Sequence, residues 1–311
     1  STGFPTGSAL GATWDADLVA RVGAAIGEEA RAMGVQLVLG PGVNMKRTPL
    51  CGRNFEYFAE DPVLAGDLAA AYIRGLQGVG VGACLKHFAA NNQETDRTEI
   101  SVEADEGTLR ATYLEAFRRA IAAADPWAVM CSYNRIGGVH ASQHHWLLTD
   151  VLRDEWGYRG LVVSDWDAVH DPVAAVAAGL DLEMPGTGGR RAAAIVAAVA
   201  GGRLDRAAVE RAATRVVEFV ERCLPDGPAS SPVRDAGIVP GERLRAGQLA
   251  ALGADAHHEL AREAAAAAAT LLRNPDGVLP LDPAGTQRIG VVGGYARVPR
   301  IQGGGSSGVW P

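Results

Sequence analysis

Polar side chains stand at the ends of four apolar segments of the chain. Because the carboxyl ends of parallel strands meet at one edge of a sheet, we expect these side chains to lie close together. Charged partners such as Arg, Lys and Asp hold sugar hydroxyls well, and an aromatic ring supplies an apolar wall. A carboxylate at the end of a rigid strand can attack an anomeric carbon or stabilise an oxocarbenium ion. The set comprises Arg53, Asn54 and Glu56 on the loop after 35–39, Lys86 and His87 at the end of 81–86, Ser132, Tyr133 and Asn134 at the end of 127–133, and Ser164, Asp165, Trp166 and Asp167 at the end of 161–165.

Several of these residues also have a purely structural interpretation. Asp165 follows a strand and could cap a helix. Asp167 shares its face by strand alternation, so spacing does not choose between the two. Lys86 and His87 are adjacent and point to opposite faces of a regular strand, so both reach one site only where the strand ends or bends. Glu56 could form an ion pair with the nearby arginine, and we favour that structural role for it.

Three histidines, His140, His144 and His145, lie close together in the sequence. No cysteine or second carboxylate completes a recognisable ligand set with them, and the HExxH pattern is absent. We therefore interpret them as loop and helix-start residues and predict no metal site.

Composition excludes several classes of protein. The 311 residues include 29 Lys and Arg against 36 Asp and Glu, a net charge of −7, so no nucleic-acid partner is expected. No apolar run is long enough to span a bilayer, so no membrane partner is expected either. The four cysteines are far apart and form no CxxC pair, which excludes a disulfide scaffold and a zinc finger. The balance of 48% hydrophobic and 21% charged residues is ordinary for a soluble globular protein, whether cytoplasmic or secreted.

Strand-like and helix-like segments alternate through the first two-thirds of the chain. Such alternation, with apolar strands between amphipathic helices, predicts a parallel sheet covered by helices. A complete eight-fold barrel needs about eight strands and 250 residues, so the region is either a barrel short of at least its first unit or an open α/β sheet. The predicted strands are 35–39, 81–86, 127–133, 161–165 and 180–184, with one more near Phe4, and the predicted helices are 15–33, 62–77, 105–124, 144–155, 189–200 and 204–223.

Three regions follow from this pattern. Residues 1–224 form the barrel-like domain, and the Pro- and Gly-containing residues 225–255 form a linker. Residues 256–311 hold a helix over about 257–273 and a strand over 289–292. A helix and one or two strands cannot bury a core alone, so we interpret 256–311 as the beginning of a second domain.

Four phrases of the sequence resemble glycoside hydrolase family 3, and are most similar to its β-glucosidases. The phrases are Gly-Arg-Asn-Phe-Glu at 52–56, Lys-His-Phe-Ala-Ala-Asn-Asn-Gln-Glu at 86–94, Met-Cys-Ser-Tyr-Asn at 130–134 and Val-Ser-Asp-Trp at 163–166. They occur in family order, together with weaker matches along nearly the whole chain. The resemblance implies a (β/α) barrel lacking its first strand unit, followed by the start of an α/β sandwich domain.

The resemblance also implies roles for individual residues. Asp165 matches the nucleophile of a retaining hydrolase of terminal β-D-glucosidic bonds. Trp166 matches part of the wall of the first sugar subsite. Residues that match contacts of the family with the sugar are Arg53, Lys86, His87 and Tyr133, with Met130 near the same subsite. The resemblance implies a small-molecule or oligosaccharide β-glucoside as substrate and no cofactor or metal.

Some alternatives remain open at this stage. A β-xylosidase or a glycosidase of glucosylated natural products would carry nearly the same sugar contacts. The family's general acid/base is a Glu on a loop of the second domain, which we expect to lie outside these 311 residues. A truncated sugar-binding chain without turnover is therefore a third alternative.

Overall fold

Parallel strands form the sheet that carries the predicted site residues. The computed structural model describes residues 1–224, 253–286 and 288–299. In chain order the described strands are β1 (Leu37–Val38), β2 (Gly82–Phe88), β3 (Ser101–Val102), β4 (Ala128–Cys131), β5 (Arg135–Ile136), β6 (Val139–His140) and β7 (Leu161–Ser164). The main sheet has the order β1-β2-β4-β7 and is parallel throughout, and β3, β5 and β6 form a separate three-stranded sheet.

Helices precede, separate and follow the strands of the main sheet. They are α1 (Gly7–Thr13), α2 (Ala16–Ala32), α3 (Pro62–Gly78), α4 (Glu106–Thr108), α5 (Glu115–Ala124), α6 (Pro172–Ala178), α7 (Arg190–Ala200), α8 (Arg206–Cys223) and α9 (Asp255–Ala267). π-Helical segments cover Leu109–Leu114 and Trp146–Glu155, and short 3₁₀ turns cover Asn54–Glu56, Ala141–Gln143 and Gly294–Ala296. None of the helices in the described ranges is long and apolar enough to cross a membrane.

Aspartate side chains fix where several helices begin. Asp15 accepts a hydrogen bond of 2.9 Å from the Leu18 amide at the start of α2, and Asp61 accepts one of 2.7 Å from the Leu64 amide at the start of α3. Each bond satisfies an amide that has no partner inside the helix, and such a cap stabilises a helix by about 1 kcal/mol.

The outer helices pack closely because glycines face their neighbours. A Cβ atom on Gly23 of α2 would lie 2.4 Å from the Tyr72 carbonyl oxygen, and one on Gly75 of α3 would lie 2.0 Å from the Ala20 carbonyl oxygen. The two helices therefore approach at a distance that no larger residue permits at either position. Their inner faces join one apolar core that also includes Ile73 and Phe117, both fully buried.

The main sheet does not close into a barrel. β1 pairs only with β2 in the described structure, and a cavity of about 830 Å³ lies beside it, lined by Phe4, Leu10, Val38 and Phe58 among others. The predicted α/β architecture, a (β/α) barrel that is incomplete, agrees with this open parallel sheet.

Three predicted strands are wrong. Residues 180–184 make a single bridge between Leu182 and Val163. Residues near Phe4 and residues 289–292 form no strand. A strand needs a neighbour for its amide and carbonyl groups. The apolar residues Ile289 and Val292 are exposed and have no such neighbour in the described part of the chain.

Helix α9 packs on the outer helices of the first region. The ring of His257 lies 3.1 Å from a Glu29 carboxylate oxygen, and Arg21 forms an ion pair of 2.6 Å with Glu263. The helix begins at Asp255 and ends at Ala267, short of the predicted residue 273. Most of the predicted linker, residues 225–252, lies outside the described residues, so the three-region division stays a prediction.

Candidate active site

The carboxyl ends of three neighbouring strands are level, and this places the predicted site residues together. Phe88 of β2 is in register with Cys131 of β4, which is in register with Ser164 of β7. Asp165 directly follows β7, and its carboxylate oxygen Oδ2 lies 3.6 Å from Nε2 of His87. The sequence-based expectation that these strand ends meet is therefore correct.

An irregularity in β2 turns both Lys86 and His87 toward the site. The register with β4 shifts between Leu85 and Phe88, so strand alternation does not hold there. Asn44, on the loop after β1, replaces a strand neighbour at this point. Its side chain accepts from the His87 amide and donates to the His87 carbonyl, both at 2.9 Å.

The hydrogen bonds of His87 define it as a neutral ring. Arg53 can only donate, and its Nη2 lies 2.6 Å from Nε2 of His87, so Nε2 accepts and Nδ1 carries the proton. Nδ1 faces the Tyr57 hydroxyl and Asn44 Oδ1, each at 3.3 Å. Burial holds the pKa of His87 well below its usual value, and the charges of Arg53 and Lys86 lower it further. The contact with Asp165 is consequently not an ion pair.

Glu56 holds the two cations of the site. It lies 2.5 Å from Nε of Arg53 and 3.3 Å from Nζ of Lys86. Burial alone would raise the pKa of Glu56, but Lys86 and Arg53 overcome it and lower the pKa. The ion pair predicted for Glu56 is present, and it fixes both cations beside the site.

Asp165 has one oxygen bound and one free. Its Oδ1 accepts a hydrogen bond of 2.8 Å from the Trp166 amide. Its Oδ2 is buried with no hydrogen-bond partner, the only carboxylate oxygen of which this is true among the described residues. Buried polar atoms are nearly always paired. An unpaired carboxylate oxygen next to the neutral His87 is therefore suited to meet a group from outside the chain.

Aromatic side chains border this oxygen. Burial, together with the negative charge of Asp165, raises the pKa of Tyr133, so its hydroxyl keeps its proton and can donate. The Arg97 guanidinium lies 4.6 Å from the centre of the Tyr133 ring and forms an ion pair of 2.7 Å with Glu94. Trp166, whose amide binds Asp165, is 41% exposed.

Other predicted residues lie at the edge of the site or elsewhere. Met130 is buried in a small apolar cluster with Cys84, Leu161 and Val163. Asp167 is exposed, and its amide binds the Met184 carbonyl, because the chain leaves the strand after Ser164 and alternation no longer applies.

The three histidines lie in different surroundings. His140 stacks on His170, His144 contacts Trp146, and His145 pairs with Asp150. No group of three or more potential ligands in metal-binding geometry occurs in the described ranges.

Sequence reasoning missed three residues of the site: Asn44, Tyr57 and Arg97. Asn44 and Tyr57 act on His87 from loops whose sequence carries no signal for such a contact. Arg97 had one available signal, its spacing of three residues from Glu94, but that spacing is also typical of ordinary surface ion pairs.

The fold and site define a class: a parallel α/β protein of barrel type with a carboxylate, two basic side chains and aromatic rings at the carboxyl ends of its strands. The sequence model of the glycosyl hydrolase family 3 N-terminal domain matches residues 1–219. The chain belongs to this family.

Relatives support this assignment. The chain is 47% identical over 311 residues to thermostable beta-glucosidase B of Acetivibrio thermocellus, covering all of this chain and 38% of the relative. It is 44% identical over 318 residues to exo-alpha-(1->6)-L-arabinopyranosidase of Bifidobacterium breve, covering all of this chain and 39% of the relative. The chain thus spans under two-fifths of the length of these proteins.

A solved structure matches as well. Beta-glucosidase 3B from Thermotoga neapolitana in complex with glucose superimposes with a TM-score of 0.79 at 38% identity. The match covers 90% of this chain and 38% of that protein, and extends the similarity from sequence to fold.

Proposed function

We propose that the protein containing this chain hydrolyses terminal β-D-glucosidic bonds with retention of configuration, with Asp165 as nucleophile. The observation that carries the proposal is the buried, unpaired Oδ2 of Asp165 next to the neutral His87, whose ring is in turn bound by Arg53. The names of the relatives, β-glucosidases among them, point to the same reaction.

The proposed roles of the other residues follow from their chemistry. Arg53 and Lys86 hydrogen-bond the sugar hydroxyls, the neutral His87 ring contacts the sugar beside them, and the Tyr133 hydroxyl donates near the nucleophile. Trp166 provides an apolar wall, and Met130 lies near the same subsite. Glu56 keeps Arg53 and Lys86 in place. Charge-assisted hydrogen bonds of this kind fix the sugar ring so that its anomeric carbon faces Asp165.

The reaction requires two steps. In the first, Oδ2 of Asp165 forms a bond to the anomeric carbon, the glycosidic bond breaks, and the leaving oxygen takes a proton. In the second, water cleaves the glycosyl-enzyme and releases the sugar.

The proton in the first step must come from a second carboxyl about 5–5.5 Å from the first. Lys86 and Arg53 lower the pKa of the nearby Glu56, and Glu94 is bound in an ion pair with Arg97. We therefore propose that the acid comes from outside the described residues.

A second candidate substrate is an α-L-arabinopyranoside. The arabinopyranosidase of B. breve is nearly as similar to this chain as the β-glucosidase of A. thermocellus. β-Xylosides and glucosylated natural products also suit the same sugar contacts. Turnover of the corresponding aryl glucoside, xyloside and arabinopyranoside ranks these substrates directly. Glucose binding without turnover of any of them would support the sugar-binding alternative.

Trapping the covalent intermediate tests the nucleophile. A 2-deoxy-2-fluoro-β-glucoside with a dinitrophenyl leaving group needs no acid for the first step and therefore suits this test. The protein is incubated with this reagent, and the intact mass of the protein is then measured. We expect one adduct, mapped to the peptide that contains Asp165, and its loss in Asp165→Asn. Asp167→Asn is the matched control and should still form the adduct. An adduct on another residue would refute the assignment.

A further inference from the structure

A short segment that begins at the end of β6 joins the two loops that carry Tyr133 and Asp165. Residues 140–143 contact the Tyr133 loop on one side, where the Ala141 amide donates to the Asn134 carbonyl at 3.0 Å. On the other side the buried Ser142 hydroxyl donates to the Ala168 carbonyl at 2.8 Å. The Ala168 amide in turn donates to the Asp165 carbonyl at 3.2 Å. A chain of contacts therefore runs from one side of the site to the other.

His140 lies between the two loops that these contacts connect. Its ring stacks on the ring of His170, with centroids 3.7 Å apart and planes inclined by 16°. His170 follows Asp165 on the same loop. Its backbone amide and that of Asp171 both donate to the side-chain oxygen of Gln143, at 3.3 and 2.9 Å.

The hydrogen bonds of His140 define it as neutral. Nε of Arg135 donates to its Nε2 at 3.0 Å, so Nδ1 carries the proton and faces the Tyr133 carbonyl at 3.4 Å. Burial lowers the pKa of His140, and the neighbouring His170 and Arg135 lower it further.

We infer that His140 is a positioning residue, which holds Tyr133 and the Asp165 loop at a fixed separation through its stack on His170. The inference rests on the proposed function, because the separation matters for glycosyl transfer to Asp165. His140 touches no reacting atom and acts through its two neighbours.

Acid weakens this arrangement. The titratable and charged groups that act on the His140 ring are His170 on the nucleophile loop, Arg135 on β5, and Glu99, which forms an ion pair of 2.9 Å with Arg135. Protonation of His140 would place a positive charge against His170 and against the Arg135 donor, and the Tyr133 carbonyl and Glu99 only partly offset this repulsion. The stack is therefore strongest while the His140 ring is neutral.

Two variants in the full-length protein test the inference. His140→Ala removes the ring, and His140→Phe keeps a ring that can stack but cannot be protonated. His145→Ala is the matched control, because His145 is an exposed histidine of the same region and forms its ion pair with Asp150. Turnover of a dinitrophenyl β-glucoside is measured from about pH 4.5 to 8, the range over which histidines titrate. Each rate is divided by the concentration of active sites, which is counted with the trapping reagent.

The Ala variant should lower kcat about 10- to 100-fold with KM nearly unchanged, the effect expected of a misplacement near 1 Å. The Phe variant should stay within about threefold of wild type at pH 7 and lose less activity than wild type toward acid pH, because its ring gains no charge. The control should match wild type throughout. Near-normal kcat in the Ala variant, or an acid profile of the Phe variant identical to that of wild type, would overturn the inference.

A measurement without substrate separates this inference from the proposed function. Wild-type turnover alone decides whether the protein is a glycosidase. The nitrogen NMR signals of His140 report its coupling to His170 in either case. His170→Ala should raise the pKa of His140, and an unchanged pKa would refute the coupling between the rings.

Discussion

Two buried aspartates lie beside opposite ends of strand β7, and their surroundings differ. The side chain of Asp181 is completely buried and fully paired: it lies 2.7 Å from Arg153, 2.9 Å from Arg215, and accepts a hydrogen bond of 2.8 Å from the Val162 amide. Asp165 follows the carboxyl end of the same strand and leaves one buried oxygen without a partner.

The difference in pairing indicates that Asp181 serves the stability of the fold, whereas Asp165 is available for chemistry. Burial raises the pKa of Asp181, and its arginines counteract that effect, so its charge is held inside the fold and unavailable to a substrate. A buried carboxylate oxygen with no partner costs free energy of folding. Such a cost is typical of a site whose partner is a ligand.

The largest expected effect is on activity, at the unpaired aspartate. Asp165→Asn in the full-length protein should lower kcat for an aryl β-glucoside roughly 10⁴-fold, about 5.5 kcal/mol of transition-state stabilisation. Its thermal midpoint should equal or exceed that of wild type, because a buried unpaired charge is removed. A marked loss of stability with retained turnover would show that Asp165 has the structural role that we assign to Asp181.

The paired aspartate should behave in the opposite way. Asp181→Asn leaves the buried Arg153 without its charge partner and should lower the free energy of unfolding by about 4 kcal/mol, measured by urea denaturation. The change in kcat per folded molecule should be small. Combining Asp181→Leu with Arg153→Met should cost less than Asp181→Asn, because no unpaired charge is left inside.

A third buried carboxylate, Glu29, extends the comparison to the pH dependence of stability. It accepts hydrogen bonds from the Thr2 amide and hydroxyl, the Gly253 amide and His257. Burial opposes ionisation, but these bonds prevail and lower the pKa of Glu29 below its usual value of 4.5. A depressed folded-state pKa stabilises the protein above pH 4.5, and this contribution is lost as the pH falls through the folded-state value.

Glu29→Gln should therefore destabilise the protein by about 2 kcal/mol at pH 7, the range for hydrogen bonds to a charged group. The difference between variant and wild type should shrink as the pH falls below 4.5, which urea unfolding at several pH values measures. The exposed Glu259→Gln on α9 is the control, because Glu28 itself contacts His257. A difference independent of pH would show that the charge of Glu29 contributes nothing.

The smallest expected effect is at Glu56, which is paired but belongs to the site. Glu56→Gln loosens Arg53 and Lys86 and should lower kcat/KM about tenfold, or about 1.4 kcal/mol, with a small effect on the thermal midpoint. The exposed Glu60→Gln serves as control. An effect on stability larger than that on activity would place Glu56 with Asp181 and not with Asp165.

Much of the fold was predictable because its pattern is local. The spacing of apolar residues predicts helices at 15–33 and 62–77, and the structure places them at Ala16–Ala32 and Pro62–Gly78. The strand predicted at 289–292 is absent, because a strand depends on a partner that local sequence does not contain.

The site was predictable only in part. Residue types at strand ends indicated which side chains meet, since parallel strands share one edge. Alternation could not choose between Asp165 and Asp167, because the choice depends on where β7 ends. The approach of Asn44 and Tyr57 to His87 depends on loop paths that no periodicity encodes.

The sequence by itself determined the alternation of helices and strands, the residues at the strand ends, and the family. Only the tertiary structure decided that His87 is neutral, that one oxygen of Asp165 is unpaired, and that Asp181 is fully paired. Protonation and pairing depend on distances between groups far apart in the chain, and those distances exist only once the chain has folded.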